Sequence, residues 1–365
     1  MSAMVMSIED AMAKAQGKAP APVTGRRALP EKGTLLVPVE KWLADVSPPQ
    51  WVLEGVIQQG YLYACTAITN HGKTAITLLM GMCIATGHKF CGRDIKQGAV
   101  LILCGENPDG FRTRLRATLG AMELTEEAIA GRVIVLHQAL PLKQYLDEIK
   151  AEAAALGIEY TLVLVDTHAS YFTGDDEDSN VQARDAAMDL RELTELPGKP
   201  AVVANCHPTK NATHEGLLPR GGGAFLNEID TNLTVWAEGE TAVFHWQRKK
   251  RGPDFDPMPF EFHGTNIDEA GVSVPTVVAW PISEEREQEL KRARRQAQNR
   301  VIRAMYDRPD GTFRQWAADC GWKPSSSLSK MKRIMEKLIE AGIVEWNRGD
   351  YALTAKGKKE ASGIT

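Results

Sequence analysis

Between residues 33 and 265, short apolar runs alternate with amphipathic segments, a pattern that predicts a parallel α/β sheet. The apolar runs predict strands at 61–67, 99–104, 133–136, 161–165, 201–204, 231–237 and 242–247. Segments with helical spacing predict helices at 74–86, 111–121, 143–155 and 181–193. We expect the last strands to pair as an antiparallel extension of the sheet.

The pattern changes at residue 283. Residues 283–307 are highly charged and helical in pattern, and their apolar periodicity begins only at Val301. Two further helices are predicted, and the longer one covers 326–341. Its apolar positions fall at helical spacing and predict a core face of Leu328, Met331, Ile334, Met335, Leu338 and Ile339.

Two short apolar segments follow, at 343–346 and 351–353, and the residues between them include Asn347 and Gly349, which suit a β-hairpin. Three helices followed by a hairpin is the layout of a winged helix-turn-helix domain. The chain is therefore expected to comprise a flexible leader at 1–32, an α/β domain at 33–282, a charged helical linker at 283–300 and a winged-helix domain at 301–365.

Composition narrows the class of protein. With 43% hydrophobic residues among 365, the chain is not wholly disordered, and it has no apolar stretch long enough to cross a membrane. The N-terminal segment carries acids and no apolar centre, so we expect no secretory signal. The six cysteines form no CxxC pairs, as expected of reduced thiols in a cytoplasmic protein.

The net charge of −4 is an average over two unlike parts. Residues 291–365 carry 17 Lys and Arg against 8 Asp and Glu, a balance of +9, which leaves −13 for the rest of the chain. A basic terminal domain on an acidic body is common where that domain meets nucleic acid, and a solvated basic helix is the alternative.

A phosphate-binding loop follows the first strong apolar run. Residues 67–74 (AITNHGKT) lie between a predicted strand and a predicted helix, the context that a Walker A loop requires. Lys73 is expected to neutralise the β- and γ-phosphates of ATP, and the Thr74 hydroxyl to bind Mg²⁺. The nucleotide-binding set is Ala67, Thr69, Asn70, His71, Gly72, Lys73, Thr74 and Ala75.

Ala67 stands where the Walker A pattern has its first glycine, and alanine can turn the chain there if its φ stays negative. A chance GKT at a strand–helix junction remains the alternative.

Two acids end neighbouring apolar runs. Asp166 in LVLVDTH is expected to hold Mg²⁺ as the Walker B carboxylate, or else caps the next helix. Glu106 in LILCGENPDG can orient and deprotonate the water that attacks the γ-phosphate, or is an exposed loop acid.

The runs WVLEGVIQQGYLYACTAITNHGKTAITLLM, VLILCGENPDGFRTRLRATLG, LVLVDTHASYFTGDDEDSN and AVVANCHPTK together resemble the RecA-type, AAA-annotated ATPases of the plasmid RepA-like hexameric helicase group. The resemblance covers residues 45–260. It implies a RecA-like P-loop core, a catalytic base at Glu106, a metal ligand at Asp166 and a γ-phosphate sensor at His207. For His207 alone, a core or loop histidine is the alternative.

The resemblance also implies contacts outside the nucleotide site. The glycine-rich segment after His207 contacts single-stranded DNA in such proteins, which points to Lys210 and Arg220, and a plain flexible loop is the alternative. The basic run before Gly252 implies cations that reach the neighbouring subunit's γ-phosphate. The alignment on Gly252 favours Arg248 and Lys250, the register could shift by one residue, and a solvated basic run is the alternative.

The C-terminal segment resembles a winged helix in its closing pattern. Its cations, Lys330, Lys332, Arg333 and Arg348, are candidates for contacts with a DNA backbone. Winged helices also serve as protein–protein modules, and no base-reading residue distinguishes the two uses.

The sequence thus predicts an ATP- and Mg²⁺-dependent motor that forms a homo-oligomer, expected to be a hexameric ring, on single-stranded DNA, with duplex DNA a further partner of the winged helix. We expect a replicative helicase of a phage or plasmid, acting in the cytoplasm of a bacterium or a phage-infected host. The alternatives are a RecA-like recombination or annealing ATPase and a helicase loader or nucleotide-switched DNA-binding regulator.

Overall fold

The computed structural model describes residues 36–44, 48–322, 324–347 and 350–364. Contacts divide the chain into two compact units, of which the first ends at Pro281 and the second spans Ile282–Thr365. The predicted leader at 1–32 and the cation Arg348 lie outside the described residues.

The first unit is built on a nine-stranded sheet and a separate two-stranded ribbon. The ribbon is β1 (Trp51–Leu53) with β2 (Ile57–Gln58). The sheet contains β3 (Leu62–Thr66), β4 (Ala99–Leu103), β5 (Val133–Leu136), β6 (Tyr160–Val165), β7 (Ala201–Cys206), β8 (Thr231–Glu238), β9 (Thr241–Trp246), β10 (Met258–Glu269) and β11 (Val272–Pro281). Its spatial order is β11-β10-β9-β8-β3-β7-β6-β4-β5.

Strands β8, β3, β7, β6, β4 and β5 run parallel, and β9, β10 and β11 extend the sheet in antiparallel fashion. The carboxyl ends of β3, β7, β6 and β4 therefore meet at one edge. The residues that follow these four strands include the phosphate loop, Glu106, Asp166 and His207, as is usual where ligands bind open α/β sheets.

Helices cover both faces of the sheet. They are α2 (Lys73–Thr86), α3 (Pro108–Ala121), α4 (Leu142–Ala155), α5 (Asn180–Glu192) and α6 (Gly222–Glu228), whereas the described side chains of the preceding helix, α1 (Val39–Ala44), are exposed. One core contains α2, α3 and the ribbon, and the other contains α4, α5 and α6. This is the mixed α/β architecture of a P-loop NTPase core.

Helix α2 is buried on every side, because Lys73 and every residue of Ala75–Ala85 are buried. Gly81 allows a close approach to the sheet, since a Cβ there would lie 2.7 Å from Leu164 Cδ1. The second strand of the β10–β11 hairpin also packs against α2, and against α3. A helix that is apolar all round is typical of such a position.

The hairpin extends well beyond the strand that anchors it. β10 pairs with β9 only over Met258–Glu261, whereas its pairing with β11 continues to Glu269. At the tip, Thr113 Oγ1 of α3 donates a hydrogen bond to Glu269 Oε1 at 2.7 Å. The pattern of apolar residues did not predict these two strands.

The described residues of the second unit form four helices and a hairpin: α7 (Glu284–Asp307), α8 (Phe313–Asp319), α9 (Pro324–Glu340), β12 (Val344–Asn347), β13 (Asp350–Leu353) and α10 (Ala355–Ser362). Helix α7 is continuous through the segment expected to be a linker. A capping box between Thr312 and Gln315 begins α8. Helix α10 was not predicted.

The core of this unit is smaller than the spacing on α9 predicts. Met331, Met335 and Leu338 are buried as expected, but Leu328 and Ile339 are 42% and 37% exposed. Their assignment to the core was wrong, because the small unit covers only a narrow stripe of the helix.

Two further predictions concern the state of the cysteines and membrane-spanning segments. All six cysteines lie in the described part of the chain and are free, and burial raises the pKa of Cys65 to about 12. No helix among the described residues is long and apolar enough to span a membrane.

Candidate nucleotide site

The loop after β3 has the backbone of a phosphate cradle. Asn70 and Gly72 take left-handed φ angles of 68° and 83°, and Gly72 is the N-cap of α2. The first backbone N–H groups of a helix have no partner within the helix, so they are available to phosphate oxygens. Ala67 is fully buried and does not take a positive φ, so alanine fits the position at which the pattern has glycine.

Lys73 is a buried cation at the N-terminus of α2. Its residue exposure is only 8%, and among the described residues it has no ion-pair partner. A buried charge without a partner is costly, and the polyphosphate of a nucleotide would supply that partner. The residues present therefore fit a bound nucleotide.

Asp166 stands at the carboxyl end of β6 and contacts Thr74 directly. Thr74 Oγ1 donates to Asp166 Oδ1 at 3.0 Å, which brings the two predicted Mg²⁺ ligands together. Burial raises the pKa of the Asp166 carboxyl, against the opposing effects of Asn205, Thr74 and Lys73. Mg²⁺ prefers such oxygen ligands and would favour the charged form of this buried acid.

Asn205 completes this cluster, and its role was not predicted from the sequence. Its Nδ2 donates to Asp166 Oδ1 at 2.7 Å and to Thr77 Oγ1 at 3.0 Å. Its Oδ1 is buried and has no hydrogen-bond partner among the described residues. The available signal was an amide inside the apolar run AVVANC, since a buried polar side chain needs a partner.

Glu106 and His207 complete this edge of the sheet. Glu106 follows β4 and is exposed, and its charge contributes to raising the pKa of Asp166. His207 follows β7 and is partly buried, and burial together with Lys73 lowers its pKa. The edge thus contains one buried carboxylate, one accessible carboxylate and a histidine, around a loop built to hold phosphate.

Residues 28–213 match the family model of the AAA domain, and this match covers just over half of the chain. The chain belongs to this family of P-loop ATPases. Membership implies nucleotide binding, usually with Mg²⁺, and supports ATPase activity. No curated protein matches the chain.

The loop that follows His207 in this ATPase is closed by backbone hydrogen bonds. Thr209 N donates to Leu218 O at 2.9 Å, and Arg220 N donates to His207 O at 2.8 Å. Gln247 Nε2 donates to His214 O at 2.6 Å, which connects the middle of the loop to the residue that follows β9. We call residues 207–220 the sensor loop.

Both cations predicted to contact DNA in the sensor loop pair with the acidic segment after Asp166. Arg220 Nη1 lies 2.5 Å from Glu177 Oε2, and Lys210 Nζ lies 3.4 Å from Asp178 Oδ2. The Lys210 pair is largely exposed and is worth little in water. A phosphate backbone could therefore replace the acid at Lys210 at small cost.

The four cations after β9 differ sharply in their contacts. Lys249 Nζ donates to the carbonyls of Leu226 and Asn227 at 2.8 and 2.7 Å. Arg251 lies 2.8 Å from Asp230, a carboxylate that is 2% exposed and also binds Arg191.

Lys250 lies 5.2 Å from the centroid of the Trp246 ring and 3.6 Å from Asp254. Arg248 is exposed, has a φ of 68° and has no ion-pair or hydrogen-bond partner among the described residues.

The predicted DNA-binding cations of the second unit lie on α9. Lys330, Lys332 and Arg333 are exposed, and Lys330 Nζ lies 4.6 Å from the centroid of the Trp322 ring. No buried polar contact among the described residues distinguishes these cations from a solvated basic face.

Proposed function

We propose that this ATPase is a DNA-translocating motor, a replicative helicase of the RepA-like RecA-fold type, that hydrolyses ATP between subunits of a ring. Lys73, Thr74, Asp166 and Glu106 act from one subunit, and Arg248 acts from the next. A bound nucleotide supplies the polyphosphate that reacts, and Mg²⁺ supplies charge neutralisation at Thr74 and Asp166.

The placement of Arg248 carries the proposal. Gln247 N donates to Asn232 O and Asn232 N donates to Lys249 O, so the segment around Arg248 is fixed beside Asn232. The phosphate loop meets β8 at Ala237, whose N–H bonds to His71. At a strand rise of about 3.3 Å per residue, these two points of β8 lie about 16 Å apart.

Arg248 is thus fixed beside Asn232, away from the point where His71 meets β8. Its exposed guanidinium is available to a second molecule. Transition-state charge on a transferring phosphoryl group is commonly stabilised by an arginine supplied in trans.

The contacts of the neighbouring cations favour this register over the shifted one. Lys249 and Arg251 are held inside their own subunit, whereas Arg248 is not. Lys250 contacts Trp246 and Asp254 in its own subunit. As a secondary part of the proposal, Lys250 leaves these partners and contacts a phosphate in the neighbouring subunit.

DNA contacts are assigned to the sensor loop and to the second unit. Lys210 is paired with an exposed acid, and Lys332 and Arg333 are exposed on α9. Exposed cations of this kind give salt-dependent, sequence-independent affinity for phosphate backbones. The helix–hairpin order of the second unit supports its assignment as a winged helix.

Subunit mixing tests the proposal. Lys73→Ala removes the phosphate-loop cation and Arg248→Ala removes the trans cation, so each protein alone should lose hydrolysis. In a mixed ring, an intact phosphate loop meets an intact Arg248 at some interfaces, and we expect activity to recover on mixing. Lys249→Ala mixed with Lys73→Ala provides the control for simple dilution.

Absence of recovery, with both variants folded and assembled, would rule out catalysis between subunits. Native mass spectrometry with ATPγS and an oligothymidylate measures the assembly. A closed ring with DNA-stimulated hydrolysis and fork unwinding supports the helicase, whereas a filament supports the recombination alternative. A monomer without DNA stimulation contradicts both.

A further inference from the structure

The aromatic side chain of Trp236 contacts two separate parts of the nucleotide edge. Its indole ring lies 5.0 Å from the His71 ring of the phosphate loop, at an interplanar angle of 80°. The same indole lies 5.0 Å from the His214 ring in the middle of the sensor loop, at 62°. Edge-to-face contacts at this spacing depend on ring orientation, so a displacement of one ring changes both contacts.

The position of Trp236 follows from the length of β8. β8 pairs with β3 only as far as Thr234, opposite Thr66, and then continues to Glu238. Beyond that point its free edge meets the phosphate loop instead of a strand, because Ala237 N donates to His71 Nδ1 at 3.1 Å. Trp236 thus belongs to a rigid, strand-paired element that is attached to the phosphate loop.

His71 is the residue through which the phosphate loop contacts Trp236. It lies between Asn70 and Gly72, which both have left-handed φ angles, so its backbone forms part of the phosphate cradle. Burial, followed by the charge of Lys73, lowers the pKa of its ring. A neutral ring that accepts a hydrogen bond at Nδ1 carries its proton on Nε2, which fixes its orientation.

At the other end, His214 is exposed and lies in the part of the sensor loop that also contains Lys210. Since the loop is closed at its base by the Arg220–His207 hydrogen bond, a shift at His214 moves the segment between them. The displacement reaches His214 through its ring contact with Trp236, at 5.0 Å between the ring centroids.

We propose that Trp236 is a positioning residue that couples the nucleotide state of the phosphate loop to the order of the sensor loop. The inference rests on nucleotide binding by this ATPase, but it does not depend on DNA binding or on ring formation. Binding of the polyphosphate fixes His71, His71 fixes the Trp236 ring, and Trp236 fixes His214 and the loop around it.

Amide hydrogen exchange measured by mass spectrometry tests this coupling, with Mg²⁺ and ATPγS as the probe. In the unsubstituted protein, we expect ATPγS to protect both the phosphate loop at 68–76 and the sensor loop at 209–218. In Trp236→Leu, protection of the phosphate loop should persist, and the nucleotide-dependent protection of the sensor loop should be lost.

His214→Ala is the second variant, because its exposed side chain can be removed without disturbing the core. It should give the same loss as Trp236→Leu. Trp280→Leu, at an exposed tryptophan of β11 that has no ring contact with either histidine among the described residues, serves as the matched control and should keep both protections.

Nucleotide-dependent protection of the sensor loop that survives in both Trp236→Leu and His214→Ala would overturn the proposal. Protection confined to the phosphate loop in the unsubstituted protein would also overturn it. Failure of nucleotide binding itself is distinguishable, since neither segment would then respond to ATPγS in any of the four proteins.

Discussion

The nucleotide edge of the first unit and the basic face of α9 in the second unit both consist of polar residues that the sequence marks as functional. They differ in what surrounds them. Asp166 is buried and accepts a hydrogen bond from a buried asparagine that the sequence did not mark, Asn205, whereas Lys332 and Arg333 project into solvent. Buried polar groups must be satisfied by defined partners, and exposed charges need none. Substitutions should therefore be costly and specific at the first site, and mild and salt-dependent at the second.

The largest effect is expected for Glu106→Gln. Loss of the proposed base should lower the turnover of ATP by about 10²–10⁴-fold, the usual contribution of general base catalysis. ATPγS affinity should be nearly unchanged, because the Glu106 side chain is exposed and the phosphate loop remains intact. Steady-state hydrolysis and equilibrium binding measure the two quantities.

The matched control for this change is Asp109→Asn, another exposed acid three residues later on α3. Normal hydrolysis by Glu106→Gln would contradict the assignment of Glu106 as the base. The nucleotide edge would then respond to this substitution as mildly as the basic face is expected to.

Asn205→Leu should have the next largest effect, because it removes the donor that orients the Asp166 carboxylate. Residues that orient metal ligands typically contribute about 10–100-fold to metal affinity or activity. We expect the Mg²⁺ concentration for half-maximal hydrolysis to rise by that factor. Thr77→Val removes the other partner of the same amide and should change this concentration little.

Gly72→Ala should act on both stability and binding. A Cβ at this position would lie 2.0 Å from Phe262 Cζ, and the φ of 83° is unfavourable for alanine. The left-handed conformation alone costs about 1–2 kcal/mol in free energy of unfolding, which denaturant titration can measure. Adding Phe262→Ala should relieve the steric part of the loss and leave the backbone part.

The smallest effects are expected on the basic face. Lys332→Ala and Arg333→Ala should each weaken DNA binding uniformly across sequences and reduce the salt slope of the affinity by about 1. Lys358→Ala removes an exposed cation from α10 in the same unit and should leave the slope unchanged. A strong preference for one DNA sequence, lost in either variant, would contradict the simple electrostatic interpretation.

The sequence predicted the parallel strands well because their burial on both faces produces continuous apolar runs such as TLVLV. It did not reveal the β10–β11 hairpin. That hairpin covers helices with only one face, and its other face carries polar residues such as Asn266 and Asp268. Its packing is a tertiary property that no local pattern records.

The candidate site also has one part that the sequence predicted and another that it did not. The order of strands and motifs predicted that Lys73, Thr74 and Asp166 would meet, because the carboxyl ends of parallel strands lie at one edge. The role of Asn205 and the contacts that separate Arg248 from Lys249 depend on partners far away in the chain. Such partners are visible only in three dimensions.

The burial of helix α2 on all sides has a consequence for sequence change. An ordinary surface helix accepts polar substitutions along its solvent-facing stripe. Mutations that accumulate there therefore change the free energy of unfolding little. Helix α2 has no such stripe, since central strands of the sheet, α3 and the β10–β11 hairpin all pack against it. A saturation library across Ala75–Ala85 should therefore tolerate few polar replacements at any position, and removal of the hairpin would expose an apolar surface directly behind the phosphate loop.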